Sequence, residues 1–126
     1  MALLEQLRIF SGASRTVLER LAGVAVLTNF AAGTAIVSEG DTADALYALA
    51  EGTVEVTAIG ESAVPSVRLR TMQAPDLFGE IGVLEGIPRT ATVTAITDCV
   101  CERIDKDSFL DALADALEKA GDAKEV

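Results

Sequence analysis

The sequence predicts a mainly β domain, a sandwich or roll flanked by short helices. Three observations point there: apolar residues recur with a period of two through the middle of the chain, Gly-containing turns interrupt it at intervals of about ten residues, and helical spacing is confined to the two ends. At 126 residues the chain fits one domain, 1–126, with no repeat, low-complexity tract or linker to divide it. Half the residues are hydrophobic, yet only four are Phe, one is Tyr and none is Trp, so the core is built mainly from Ala, Val, Leu and Ile.

The opening helices are expected over 2–23. Leu3, Leu4 and Leu7 recur at helical spacing, and Ser14 can cap a second helix that carries Val17, Leu18 and Leu21. A β region follows over 24–105. Its turns are marked by Ala31-Ala32-Gly33-Thr34, Glu39-Gly40-Asp41, Glu51-Gly52 and the stretch from Gly60 to Ser66. Val54 and Val56 alternate with Thr53, Glu55 and Thr57; Val67, Leu69 and Thr71 alternate with Arg68, Arg70 and Met72; Ala91, Val93 and Ala95 alternate with Thr92 and Thr94. One face of each strand is therefore buried. A closing helical segment over 106–120 carries Phe109, Leu110, Leu113 and Leu117 at spacings of three and four.

Composition excludes several functions. The formal charge is −10, from twenty acidic and ten basic residues, and such a surface repels nucleic acid and anionic lipid. The longest apolar region, Leu21 to Val37, is broken by Gly23, Thr28, Asn29, Gly33 and Thr34 and is shorter than the ~20 residues a spanning helix needs, so no membrane insertion is expected. The start lacks the pattern of a signal peptide, which leads to the expectation of a cytoplasmic protein, or one at the cytoplasmic face of a membrane. With no histidine, neither a metal site nor hydrolytic catalysis is expected, and no catalytic residue is assigned. Cys99 and Cys101 lie two apart on a strand and read as reduced, buried core residues.

The chemistry lies in Phe78-Gly79-Glu80-Ile81-Gly82-Val83-Leu84-Glu85-Gly86-Ile87-Pro88-Arg89-Thr90-Ala91. Gly79 and Gly82 leave backbone amides uncovered, while Ile81, Val83 and Leu84 can anchor a helical turn on the core. The start of that turn offers unpaired N–H groups to an anion. Arg89 enters a strand of small and apolar residues, where its planar fork suits a phosphate. Ionised Glu80 only accepts hydrogen bonds, which suits a sugar hydroxyl. An ordinary Glu80–Arg89 salt bridge with turn glycines is the plainer alternative.

The whole string resembles the phosphate-binding cassette of the cyclic nucleotide-binding domain family, found in the catabolite activator protein and in protein kinase A regulatory subunits. Ile36-Val37-Ser38-Glu39-Gly40-Asp41, the block from Ala45 to Val56, and Ile104-Asp105-Lys106-Asp107-Ser108-Phe109 also fit that family's pattern. The resemblance implies a double-stranded β-helix, or jelly-roll β-roll, and assigns roles. Glu80 and the Gly79 amide would hold the ribose hydroxyl; Arg89, with amides around Gly82 and from Thr90 to Ala91, would hold the cyclic phosphate. Ile81 and Phe78 belong to the same ligand-binding set, and Val56 and Leu69 would wall the base. Glu80 and Arg89 are expected to serve the ligand more than the core.

The implied ligand is cAMP, favoured over cGMP, with no cofactor or metal. Thr90 can offer its hydroxyl to a guanine amino group or to the phosphate. Two departures stand out: Gly82 replaces the more frequent alanine, which is expected to loosen the turn slightly, and only Ala114 to Val126 could supply a lid over the base. The implied role is a sensor that passes occupancy through its C-terminal helix to an output domain, covalently linked or associated. Likeness to domains appended to bacterial transporters suggests a membrane transporter as the parent. The competing functions are a degenerate roll that serves as a structural or interaction domain, and a cupin-type enzyme, which would need the absent histidines.

Overall fold

The computed structural model describes residues 15–59 and 67–114, with only the backbone at 67 and 68. The first expected helix, Ser14, the Gly60–Ser66 turn, Leu117 and all of the possible lid beyond Ala114 lie outside the described residues. In order, the elements are α1 (Arg15–Val24), β1 (Val26–Phe30), β2 (Ala35–Val37), β3 (Ala45–Glu51), β4 (Thr53–Ala58), β5 (Val67–Gln73), β6 (Asp76–Phe78), α2 (Glu80–Glu85), β7 (Thr92–Ala95) and β8 (Cys99–Asp105). A further helix, α3, occupies 106–114 of the described chain.

All strand pairs are antiparallel, in two four-stranded sheets of order β1-β8-β3-β6 and β2-β7-β4-β5. Among the described residues sequential strands pair only at β4–β5, so the chain crosses repeatedly between the sheets and winds them into a roll. The expected β-roll is what forms.

Strand β3 shows why small residues dominate. Ala45, Tyr47 and Leu49 point into the roll with Val54, Val56, Met72, Phe78, Val93, Cys99 and Cys101. Leu46 and Ala48 face the other way and pack with Leu18 and Leu21 of α1, Val83 of α2, and Phe109 and Ala112 of α3. A strand buried on both faces reads as a continuous apolar run, here ALYALA, rather than an alternation. Large side chains on both faces of β3 would hold the helical layer away from the roll, so alanine at 45 and 48 suits close packing on each side.

Cys99 and Cys101 are free thiols buried inside the roll, as expected. Burial, followed by the neighbouring Cys99, pushes the Cys101 thiol up to about 12, so it stays protonated in the apolar interior. Among the described residues no helix is long and apolar enough to cross a membrane.

Candidate functional site

The segment between β6 and β7 is shaped by two glycines in left-handed backbone. Gly79, at φ +86°, turns the chain from β6 into α2, and Gly86, at φ +66°, ends that helix. Both are conformations that other L-residues adopt at a cost. Gly79, at the N-cap, has no side chain with which to cap the first amides of α2. The Gly86 and Ile87 amides both donate to the Gly82 carbonyl, at 2.9 and 3.2 Å, and close the helix. The chain then docks on the Gly40–Asp41 turn: the Gly40 amide donates to the Arg89 carbonyl, and the Arg89 amide to the Asp41 carbonyl, each at 2.8 Å.

That ladder sets Arg89 with its side chain inward. It is the one charged side chain buried among the described residues, at 7 % exposure. Nη1 donates to the Gly79 carbonyl at 2.8 Å and Nη2 to the Ala45 carbonyl at 2.6 Å. A Cβ at position 79 would lie 2.8 Å from Nη1, so glycine is required there by proximity as well as by φ. Asp44 stands outside this pair, with one oxygen 3.8 Å from Arg89 Nη2 and the other 3.5 Å from Arg103 Nη2 on β8.

Arg89, expected to serve the ligand more than the core, also has a structural task. Its guanidinium satisfies two main-chain carbonyls, from the β6–α2 junction and from β3, and so ties the cassette to the roll. Glu80 and Arg89 do not bond to each other, so the plain salt-bridge alternative is not what forms among the described residues. Instead Glu80 Oε2 is buried and finds no hydrogen-bond donor. A buried acceptor without a donor is costly, and its cost is relieved by any ligand hydroxyl that reaches it.

A cavity of about 110 Å³ opens between these residues. The structure brings Val56, Phe78, Gly79, Glu80, Ile81, Gly82, Arg89, Thr90 and Ala91 together around it, as the sequence suggested. Val37, Met72 and Val93 complete the lining and were not anticipated, and Arg70, where the family resemblance left the contact open, lines it as well. Phe78 is held in place by stacking on Tyr47, with ring centroids 5.3 Å apart, and Tyr47 meets Phe30 edge-on at 6.2 Å.

Leu69 is not brought to the site. It is 58 % exposed and outside the lining, because Met72 turns inward and period two then sends Arg70 inward and Leu69 outward. The signal was present in the sequence: Met72 and Arg70 share a parity, and Met72 is the large residue whose burial decides it. The helical anchor is also narrower than expected. Val83 is 1 % exposed, whereas Ile81 and Leu84 are 52 % and 43 % exposed. Gly82, expected to loosen the turn, is instead demanded by contact, since a Cβ there would lie 2.5 Å from the Ala43 Cβ and 3.0 Å from the Ile87 carbonyl oxygen.

The cavity of this β-roll sets a buried arginine beside an unsatisfied carboxylate oxygen, so it offers a cation and a hydrogen-bond acceptor to one small ligand. Residues 27–116 match the sequence model of the cyclic nucleotide-binding domain, and the chain belongs to that family. It is similar to the cAMP-dependent protein kinase regulatory subunit of Yarrowia lipolytica, at 41 % identity over 86 residues, covering 68 % of this chain and 22 % of that protein. It is also similar to the cGMP-dependent protein kinase, isozyme 1, of Drosophila melanogaster, at 33 % identity over 107 residues, covering 83 % and 14 %. The solved regulatory domain of Toxoplasma gondii PKA with cAMP superimposes with a TM-score of 0.85 at 25 % identity, covering 99 % of this chain and 48 % of that one. The chain thus spans a small part of the curated relatives it matches.

Proposed function

We propose that this chain is a regulatory sensor domain that binds a cyclic mononucleotide, and that its own residues perform no catalysis. In this reading Glu80 and the Gly79 amide take the ribose hydroxyl. Arg89, with the amides around Gly82 and from Thr90 to Ala91, takes the cyclic phosphate, and Phe78, Ile81 and Val56 supply apolar walls. The observation that carries it is Glu80 Oε2, a buried acceptor without a donor in the same cavity as a buried arginine. A ligand that fits must bring a hydroxyl and an anion close together, as a ribose cyclic phosphate does. The relatives support this class of ligand. Occupancy then passes through α3 to an output domain in the cytoplasm. The relatives described above are a kinase regulatory subunit and a kinase, so the transporter parent suggested by the sequence is not carried forward.

A degenerate roll without ligand draws support from the two carbonyl bonds of Arg89, which give that residue a structural task. It leaves the Glu80 oxygen without a reason. Calorimetric titration separates the two. Glu80→Ala is expected to weaken binding of a cyclic ribonucleotide roughly ten- to a hundredfold, the worth of a charge-assisted bond, while affinity for the 2′-deoxy analogue changes little. Arg89→Lys keeps a cation but loses the fork, and is expected to weaken both ligands. Equal effects of Glu80→Ala on ribo and deoxy ligands would remove the ribose assignment. A folded Arg89→Lys protein that binds like the parent would remove the phosphate assignment of Arg89, and a parent that binds neither ligand would leave the degenerate roll as the better reading.

A further inference from the structure

Each of the two sheets ends in two edge strands, and an edge presents unpaired N–H and C=O groups to any chain that can reach them. Among the described residues, three of the four edges carry a feature that discourages pairing. β6 is three residues long and contains Asp76. β2 is also three residues long, and its register with β7 shifts between Ala35 and Val37. β5 carries Arg68 and Arg70, and its register with β4 shifts between Val56 and Thr57. β1 has none of these features. Its five residues, Val26-Leu27-Thr28-Asn29-Phe30, keep an unbroken register with β8 and include no charge and no proline. Val26 and Leu27 are apolar yet exposed, Leu27 at 68 %. Residues 21–38 contain no charged side chain, in a chain in which 24 % of residues are charged.

We infer that β1 is an interaction surface for a second copy of this chain, in which two β1 strands pair antiparallel about a twofold axis and join two four-stranded sheets into one. Charge selects this occupant. At a net charge of −10 two copies repel over most of their surface and meet at least cost where neither presents a charge. A basic partner would be drawn to the acidic surface and would gain nothing at β1. The strand is also self-complementary. Pairing centred on Thr28 sets Thr28 against Thr28, Leu27 against Asn29 and Val26 against Phe30 of the second copy, so no like charges are opposed. Glu102, opposite Leu27 on β8, stays one strand away from the junction. A five-residue strand is ~17 Å long, which places the contact at the small end of specific interfaces and makes the dimer reversible.

Sedimentation equilibrium of the full chain over a concentration series tests this, with circular dichroism as the check on folding. The mass of the parent is expected to rise from the monomer value toward twice that value as the concentration approaches ~1 mM, the range of a weak interface. L27K/N29K and L27E/N29E each set like charges opposite one another and are expected to stay monomeric. Both positions are exposed, so both variants should fold as the parent does. Mixed in equal amounts, the two variants set Lys opposite Glu, and dimer should form roughly tenfold more readily than in either variant alone. Mixing would not repair a loss of fold. A parent that stays monomeric up to ~1 mM overturns the inference, and protection of every β1 amide from hydrogen exchange in that monomer would make a segment outside the described residues the occupant instead. A dimer that L27K/N29K leaves intact, or a mixture that stays monomeric, overturns it equally.

Discussion

At the scale of the residue, glycine and alanine occupy this site for steric reasons. Gly82 and Ala43 form a matched pair across the junction of α2 with the turn ahead of β3: only one of the two positions has room for a methyl group. Helix propensity favours alanine at 82 by up to about 1 kcal/mol, but overpacking a closed contact costs about 1–3 kcal/mol, and the clash should win. Gly82→Ala is therefore expected to destabilise the domain by about 1–2 kcal/mol, and adding Ala43→Gly should recover most of that loss. Urea unfolding of both single variants and the double variant measures the coupling, expected near 1 kcal/mol. Strict additivity would show that the backbone absorbs the methyl group without help from position 43.

Among the elements, α3 depends on its first residues. Asp105 ends β8 and its carboxylate accepts from the Ser108 amide at 3.0 Å, the arrangement of an N-cap. The Ser108 amide first, then its hydroxyl, holds the Asp105 carboxyl below the ordinary carboxylate range. A folded-state pKa below the unfolded value means the cap stabilises the fold above the unfolded pKa, and that this contribution is lost as pH falls through the folded pKa. Asp105→Ala is expected to lower Tm at neutral pH, and Asp105→Asn, which still caps, to lower it less. The gap between the parent and Asp105→Ala should close at acidic pH below the aspartate range. A gap that persists unchanged there would mean that the carboxylate is not the source of the stability.

Over the whole molecule, α2 and α3 are joined by one apolar cluster. Val83 of α2 packs in the same layer as Phe109 and Ala112 of α3, with Ala43 and Leu46 between the elements. The Lys106 amide also donates to the Asp44 carbonyl at 2.9 Å, next to the carboxylate that faces Arg89 and Arg103. A ligand that resettles α2 must shift Val83, and a close-packed cluster transmits that shift to its other members. A ligand moves an equilibrium only through contacts that differ between states, so a sensor must show a difference at α3. Hydrogen exchange over Phe109 to Leu113 is expected to change on saturation with cyclic nucleotide. Equal protection with and without ligand would count against transmission through this helix.

Much of this was legible in the sequence because it depends on local chemistry. Period two and the turn glycines announce strands such as β4 and β7, and Gly79-Glu80 and Pro88-Arg89 mark the cassette by residue type alone. Other features depended on what each side chain meets across the fold. Alternation in β5 offers two faces, and packing of the large Met72 against the roll turned Arg70 to the cavity and Leu69 out. Arg89 reads as a ligand group alone until the carbonyls of Gly79 and Ala45, far apart in sequence from one another, are brought to its fork and give it a structural task too. Gly82 reads as a loosened turn until Ala43 is placed against it. Residue type and spacing determined the elements and the chemical groups on offer; parity, steric necessity and hydrogen-bond partnership were decided by tertiary contacts, because they are properties of pairs that only folding brings together.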